Sequence, residues 1–200
     1  MALATYSDLL AAVASWMDRT DLSSQIPDFV TLFEAKMNRT LRVRQMETTA
    51  TLTPSSGSAT LPADYLEHRR VTWAGSQRYD LEFVEPSYFA FAYPSSPSDI
   101  PRIFTIEGST LKVMPTDATT VELEYYAKLA ALSGTSTNWL MTAHPDAYLF
   151  GTLLEAYAFA GEATKASLWG QRLEETLAAI ARLDMQSKVP SAIRAFGYTP

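Results

Sequence analysis

Residues 121–125 read Val121-Glu122-Leu123-Glu124-Tyr125, and the period of this run decides the fold class. Apolar and acidic side chains alternate every second residue, which is the pattern of a strand with one buried and one wet face. Upstream, Arg102-Ile103-Phe104-Thr105-Ile106, the turn Glu107-Gly108 and Thr110-Leu111-Lys112-Val113-Met114 read as a hairpin. Tyr65 to Trp73 and Arg78 to Val84 flank Ala74-Gly75-Ser76-Gln77 as a second hairpin. Further back, Thr49, Thr51 and Thr53 alternate around Leu52, and Pro54-Ser55-Ser56-Gly57 supplies a turn before Ala59-Thr60-Leu61. A proline- and serine-rich loop is expected from Pro94 to Pro101. Residues 47–127 are therefore predicted to form a small, mainly antiparallel sheet.

On both sides the period changes to that of a helix. Thr5 with Asp8 three residues on is a capping-box variant, and Leu9, Leu10, Val13, Trp16 and Met17 follow at helical spacing. Arg19-Thr20-Asp21 breaks that helix, and Ser24 and Pro27 mark a second start. Phe29, Val30, Phe33, Met37 and Leu41 make its buried stripe, with Lys36, Arg39 and Arg42 as a basic stripe on another side. The two helices are expected to pack as a hairpin. Downstream, Asn138-Trp139-Leu140 opens a second helical zone, and Pro145 and Asp146 suit a first turn. Leu149, Phe150, Leu153, Leu154, Tyr157 and Ala160 continue it to a glycine cap at Gly161. The final helix carries Trp169, Leu173, Leu177, Ile180 and Leu183, and Val189-Pro190 stops it. The expected fold is α+β. N-terminal and C-terminal helix pairs (1–46 and 128–188) form a four-helix core, 47–127 is an inserted β lobe, and 189–200 is an extended tail.

Composition narrows the function. Of 200 residues 47% are hydrophobic and 19% charged, the balance of a globular chain. Without cysteine there is no disulfide framework, thiolate metal site or cysteine nucleophile. Sixteen basic against 22 acidic residues give a net charge of −6, which argues against a surface built to wrap nucleic acid. No apolar run approaches the ~18 residues of a membrane span. The start has no basic region ahead of apolar residues, so a secretory signal is not expected. These features predict a soluble protein of a reducing compartment.

Catalytic patterns are sparse. His68 lies in a strand pattern and reads as a sheet-surface residue, while His144 precedes Pro145-Asp146 and reads as helix-start chemistry. Neither histidine has the neighbours of a serine triad or a zinc site. Glycine-rich phosphate loops are missing. Glu122 with Glu124, and Asp80 with Glu82, are the only carboxylate pairs worth weighing for glycoside cleavage, and solvated strand faces carry such pairs routinely. Lys36, Arg39, Arg42 and Arg44 put four cations in nine residues, to touch phosphates or to pair with acidic groups of the same or an adjacent subunit. The acidic chain favours pairing. No catalytic residue, metal or cofactor is expected.

Several strings, taken in order, resemble the head-to-tail adaptor (connector) proteins of short-tailed bacteriophages. They are Tyr6-x-Asp8-Leu9-Leu10, Phe33-Glu34-x-x-x-Asn38-Arg39-x-Leu41-Arg42 running to Met46, Leu61-Pro62-x-Asp64-Tyr65-Leu66, Leu111-x-Val113-x-Pro115 and Leu123-x-Tyr125-Tyr126. The densest is His144-Pro145-Asp146-Ala147-Tyr148-Leu149, followed by Leu153-x-Glu155-Ala156 and the 169–183 helix. The resemblance implies a virion structural protein of the neck or tail, assembled in the host cytoplasm after genome packaging. It implies a twelve-fold ring of the chain below the portal protein, extending the DNA channel without sequence-specific DNA binding or membrane contact. The ring would present a platform to the tail nozzle.

In that family the C-terminal segment reaches the portal, which here points to Val189, Ile193, Phe196 and Tyr198. Independently of the resemblance, four apolar side chains in so short a tail either rest on their own domain or are held for a partner. Lys36, Arg39, Arg42 and Arg44 are then expected at inter-subunit or channel contacts. The loop Phe89 to Pro101, with Phe91, Tyr93, Pro94 and Pro97, is expected to meet the nozzle or tail fibres, or else to cap the open end of the sheet. Other readings are an adaptor fold with weak peptidoglycan hydrolysis, or a completion or stopper protein of a long-tailed phage. A DNA-binding regulator is disfavoured by charge.

Overall fold

The chain opens with helices α1 (Tyr6–Met17) and α2 (Ile26–Thr40). Strands β1 (Glu47–Leu52), β2 (Ser58–Thr60), β3 (Tyr65–Trp73), β4 (Tyr79–Asp80) and β5 (Glu82–Phe83) follow. Helix α3 (Pro86–Ala92) then precedes β6 (Ile103–Glu107), β7 (Thr110–Met114) and β8 (Val121–Ala127). Three helices close the chain: α4 (Trp139–Ala143), α5 (Pro145–Phe159) and α6 (Ala163–Lys188). The computed structural model describes residues 3–19, 21–75, 78–92, 101–116 and 120–188. The fold class is α+β, in two compact units, Met1–Gln45 with Leu129–Pro200 and Met46–Lys128.

In the helical unit the first cap is the one the sequence announces. Thr5 Oγ1 accepts the Asp8 N–H at 3.1 Å and the Asp8 carboxylate accepts the Thr5 N–H at 3.0 Å, so two otherwise unsatisfied donors are paired. The second start falls one residue later than Ser24. Gln25 occupies the cap position without a side-chain cap bond, and the Ser24 hydroxyl donates to Gln25 Oε1 instead. At the end of α5, Gly161 has φ of +74°. Its N–H donates to the Ala158 carbonyl and the Glu162 N–H to the Tyr157 carbonyl, the paired bonds of a Schellman cap.

α5 is the central element, with Ala147, Tyr148, Leu149, Leu153, Ala156 and Tyr157 all buried. Gly151 lets α2 come close: a Cβ there would lie 2.1 Å from Phe33 Cδ2. α1 packs onto the C-terminal helices, Trp16 meeting Trp169 of α6 at 5.5 Å between ring centroids. Two residues of the expected apolar stripes are exposed, Trp16 and Leu183. Leu183 is 59% exposed, because α6 buries Leu173, Ile180 and Asp184 along a stripe that leaves Leu183 outside it.

The β unit holds two four-stranded sheets rather than one small sheet. Their orders are β1-β8-β3-β4 and β2-β7-β6-β5, antiparallel throughout except for the β5–β6 pair. The β6–β7 hairpin and the inward Val121, Leu123 and Tyr125 stand as the sequence predicts. The hairpin expected over 65–84 is cut short. Among the described residues of its second arm, Tyr79 and Asp80 alone pair with β3. The chain changes sheets at buried Leu81, whose N–H still reaches the Val71 carbonyl while the Glu82 N–H reaches Arg102. Asp80 and Glu82 consequently lie on different sheets. Leu61, Val71, Leu81, Phe104, Leu111 and Leu123 belong to one core fed by both sheets.

Residues 86–92 are helix, where a loop is expected from Phe89: the Glu85 carbonyl accepts the Tyr88 and Phe89 N–H groups and Phe89 is buried. Proline in a first turn leaves no hydrogen bond unmade, which is why Pro86 can open this helix.

Candidate functional site

The most elaborate polar arrangement in the helical unit is buried. Glu34 occupies a position of the apolar stripe of α2, four residues after Val30, and is 7% exposed. Its Oε1 accepts the Leu132 N–H at 2.8 Å and the Tyr148 hydroxyl at 3.0 Å. Asn138 donates its side-chain amide to the Tyr148 hydroxyl and to the Ala130 carbonyl, both at 2.6 Å, and its Oδ1 caps α4 at the Met141 N–H. One turn on from Glu34, Asn38 Oδ1 accepts the Leu129 N–H at 2.7 Å. The segment 129–138 is thus clasped to α2 through its backbone.

Burial pushes the Glu34 carboxyl above its ordinary range, opposed by the two hydrogen bonds it accepts. Burial also raises Tyr148, which therefore remains a neutral donor. A glutamate beside Phe33 on a helix gives one sequence signal for this clasp, since a charged residue inside a buried stripe needs partners. Its partners, nearly a hundred residues or more away, carry none.

The four expected cations do not form one cluster. Arg42 turns back on its own helix and donates to the Asn38 and Leu41 carbonyls at 2.9 and 2.7 Å, where the α2 dipole favours positive charge. Arg39 is exposed, and Lys36 lines a groove with residues of α5 and α6. Arg44 anchors through its backbone, its N–H donating to buried Asp184 at 2.9 Å.

In the β unit the acidic pair is matched by arginines. Glu124 pairs with Arg70, Glu122 with Arg78, and Glu47 with Arg69. Arg70 also faces Asp80 at 3.9 Å, and Thr72 donates to Asp80 at 2.9 Å. Each carboxylate of the proposed pair therefore meets a guanidinium, the setting of a charge ladder across strands. His68 is half-buried on the strand where the sequence puts it. It stacks on Phe83 at 5.0 Å and meets Phe104 edge-on at 5.3 Å, and burial lowers its pKa.

Phe91 is 84% exposed on α3, beside exposed Tyr88. Tyr93, Pro94 and Pro97, like Val189, Ile193, Phe196 and Tyr198, lie outside the described residues. Among the described residues no cluster of three or more histidine or acidic side chains is placed to hold a metal ion. No helix among them is long and apolar enough to cross a membrane.

These features define a class: an α+β protein whose helical unit is interrupted in sequence by a two-sheet unit, and whose buried ionisable groups hold its own chain together. The chain belongs to the SU10 adaptor protein family, whose model matches residues 4–194. It is a phage adaptor protein, a structural component of the virion. Among curated proteins no match to the chain was found.

Proposed function

We propose that this chain is a head-to-tail adaptor of a short-tailed phage. Copies form a ring, twelve-fold by family analogy, between the portal protein and the tail nozzle, lengthening the DNA channel and giving the tail its platform. The observation that carries this reading is the family match, which runs through both units. Charge supports it: a chain of net −6 offers passing DNA little of the positive surface that would hold phosphate. The arginines at 69, 70 and 78 are moreover already paired with carboxylates.

In this reading Val189, Ile193, Phe196 and Tyr198 dock on the portal, and Lys36, Arg39, Arg42 and Arg44 serve neighbouring copies. The aromatic surface around Phe91 meets the nozzle or fibres. Electron microscopy of the chain mixed with its portal particles tests the whole. A ring added to the portal vertex is expected, and particles that stay bare overturn the proposal. Deleting Pro190–Pro200 is expected to weaken portal binding at least about a hundredfold, since burying apolar side chains of this size contributes roughly 1.5 kcal/mol or more each. Unaltered binding removes that role from the tail.

A second test concerns the cations. Reversing Lys36, Arg39 and Arg42 to glutamate is expected to abolish ring assembly at low salt. A thermal melt of the same variant separates this from the loss of the Arg42 contacts with the end of α2. Rings that form normally refute the inter-subunit role.

A further inference from the structure

The helical unit carries a partly apolar groove and an apolar projection at different places on one helix. The groove, about 430 Å³, is lined by Leu154, Ala166, Leu173 and Leu177 together with polar side chains that include Lys36 and Glu174. Gly170 lines it as well. The projection follows from length. α6 has 26 residues against 15 in α5, about 39 Å against about 22 Å. The hydroxyl of Thr176 meets the carboxylate of Asp146, in the first turn of α5, at 3.5 Å, so residues 178–188 run on beyond the start of α5. Ile180 and Asp184 anchor the inward side of that stretch, while Leu183 and Met185 stand 59% and 69% exposed.

We infer that the projecting end of α6 seats in the groove of a second copy of this chain. The same helix cannot fill its own groove, because Leu183 lies about 20 Å along it from Gly170. Charge favours another copy as the occupant: exposed Arg182 adjoins Leu183 on the projecting stretch, and exposed Glu174 lines the groove. Each copy offers one element and accepts the other, a heterologous contact that closes into a ring when the rotation allows. The inference rests on the adaptor reading, for which it supplies the contact between neighbours.

The cysteine-free sequence makes the contact directly testable. Ser167→Cys places a thiol at the groove and Met185→Cys one on the projection. On portal particles carrying the assembled chain, oxidation of the double variant is expected to give a ladder of covalent multimers, lost on reduction. A short bis-maleimide serves where the Cα atoms lie beyond the ~7 Å reach of a disulfide. Mixed single variants are expected to stop at dimers, and each alone to stay unlinked. Assembled particles whose double variant stays unlinked, or linkage of Met185→Cys alone, overturn the inference while leaving the adaptor reading intact. A wild-type chain that never joins portal particles overturns both.

Discussion

Replacing Gly151 with valine is expected to cost the helical unit about 3 kcal/mol, at the upper end of the usual overpacking range. Even a single carbon at this position would meet the Phe33 ring at 2.1 Å. That ring cannot step aside, because Phe33 is fully buried and held edge-on against Tyr148 at 5.0 Å. The gain in helix propensity over glycine, about 1 kcal/mol at most, is too small to offset the clash. A drop of roughly 10 °C in melting temperature is the readout. Phe33→Leu, destabilising alone, is expected to recover part of the loss in the double variant. Strict additivity of the two would show that the ring is not the obstacle.

Glu34→Ala is expected to be comparably damaging, by about 3 kcal/mol. It strands two buried donors, the Leu132 N–H and the Tyr148 hydroxyl, each carrying a desolvation penalty of about 1–3 kcal/mol. Glu34→Gln keeps an acceptor in place and should lose far less near pH 7. The pair of variants also carries a sign. Burial holds the folded carboxyl above the 4.5 of a free glutamate, so the folded protein binds its proton at a pH where the unfolded chain does not. Glu34 therefore contributes stability that is full below about pH 4.5 and is lost as pH rises through the folded value. Denaturant melts across that window should show wild type declining relative to Glu34→Gln as pH increases. A difference that is flat with pH, or rises, would mean the carboxyl is not held as its burial requires.

Periodicity carried most of the secondary structure, and its failures have identifiable causes. The Thr5 cap, Pro145, Gly161 and the Val121–Tyr125 alternation are local devices, complete within a few residues, and each stands where the sequence puts it. The partition into two sheets was not legible. A two-residue strand on either side of Leu81 leaves no periodic signal, and only tertiary pairing separates Asp80 from Glu82. Helix α3 was masked by its aromatic content and by the proline-rich stretch that follows it.

Legibility at the surfaces differed again. The basic stripe was visible in the spacing of Lys36, Arg39 and Arg42, yet spacing could not reveal that Arg42 turns back to its own helix end. Leu183 matched the helical period of Leu173 and Ile180, but nothing in the sequence says that α6 outruns the helix it packs on. The groove and projection depend on that excess length.

The clasp between α2 and the segment after β8 bears on how the molecule comes into being. Glu34 waits 98 residues for Leu132 and 114 for Tyr148. On the ribosome, Phe33 and Met37 emerge long before α5, the main packing partner of α2, while every strand between can find its sheet first. The portion assembled from both termini is then the late step, closing a long loop before any contact repays it. Cells making this protein must keep an incompletely covered N-terminal helix pair from sticking to its newborn siblings until the last third of translation is done.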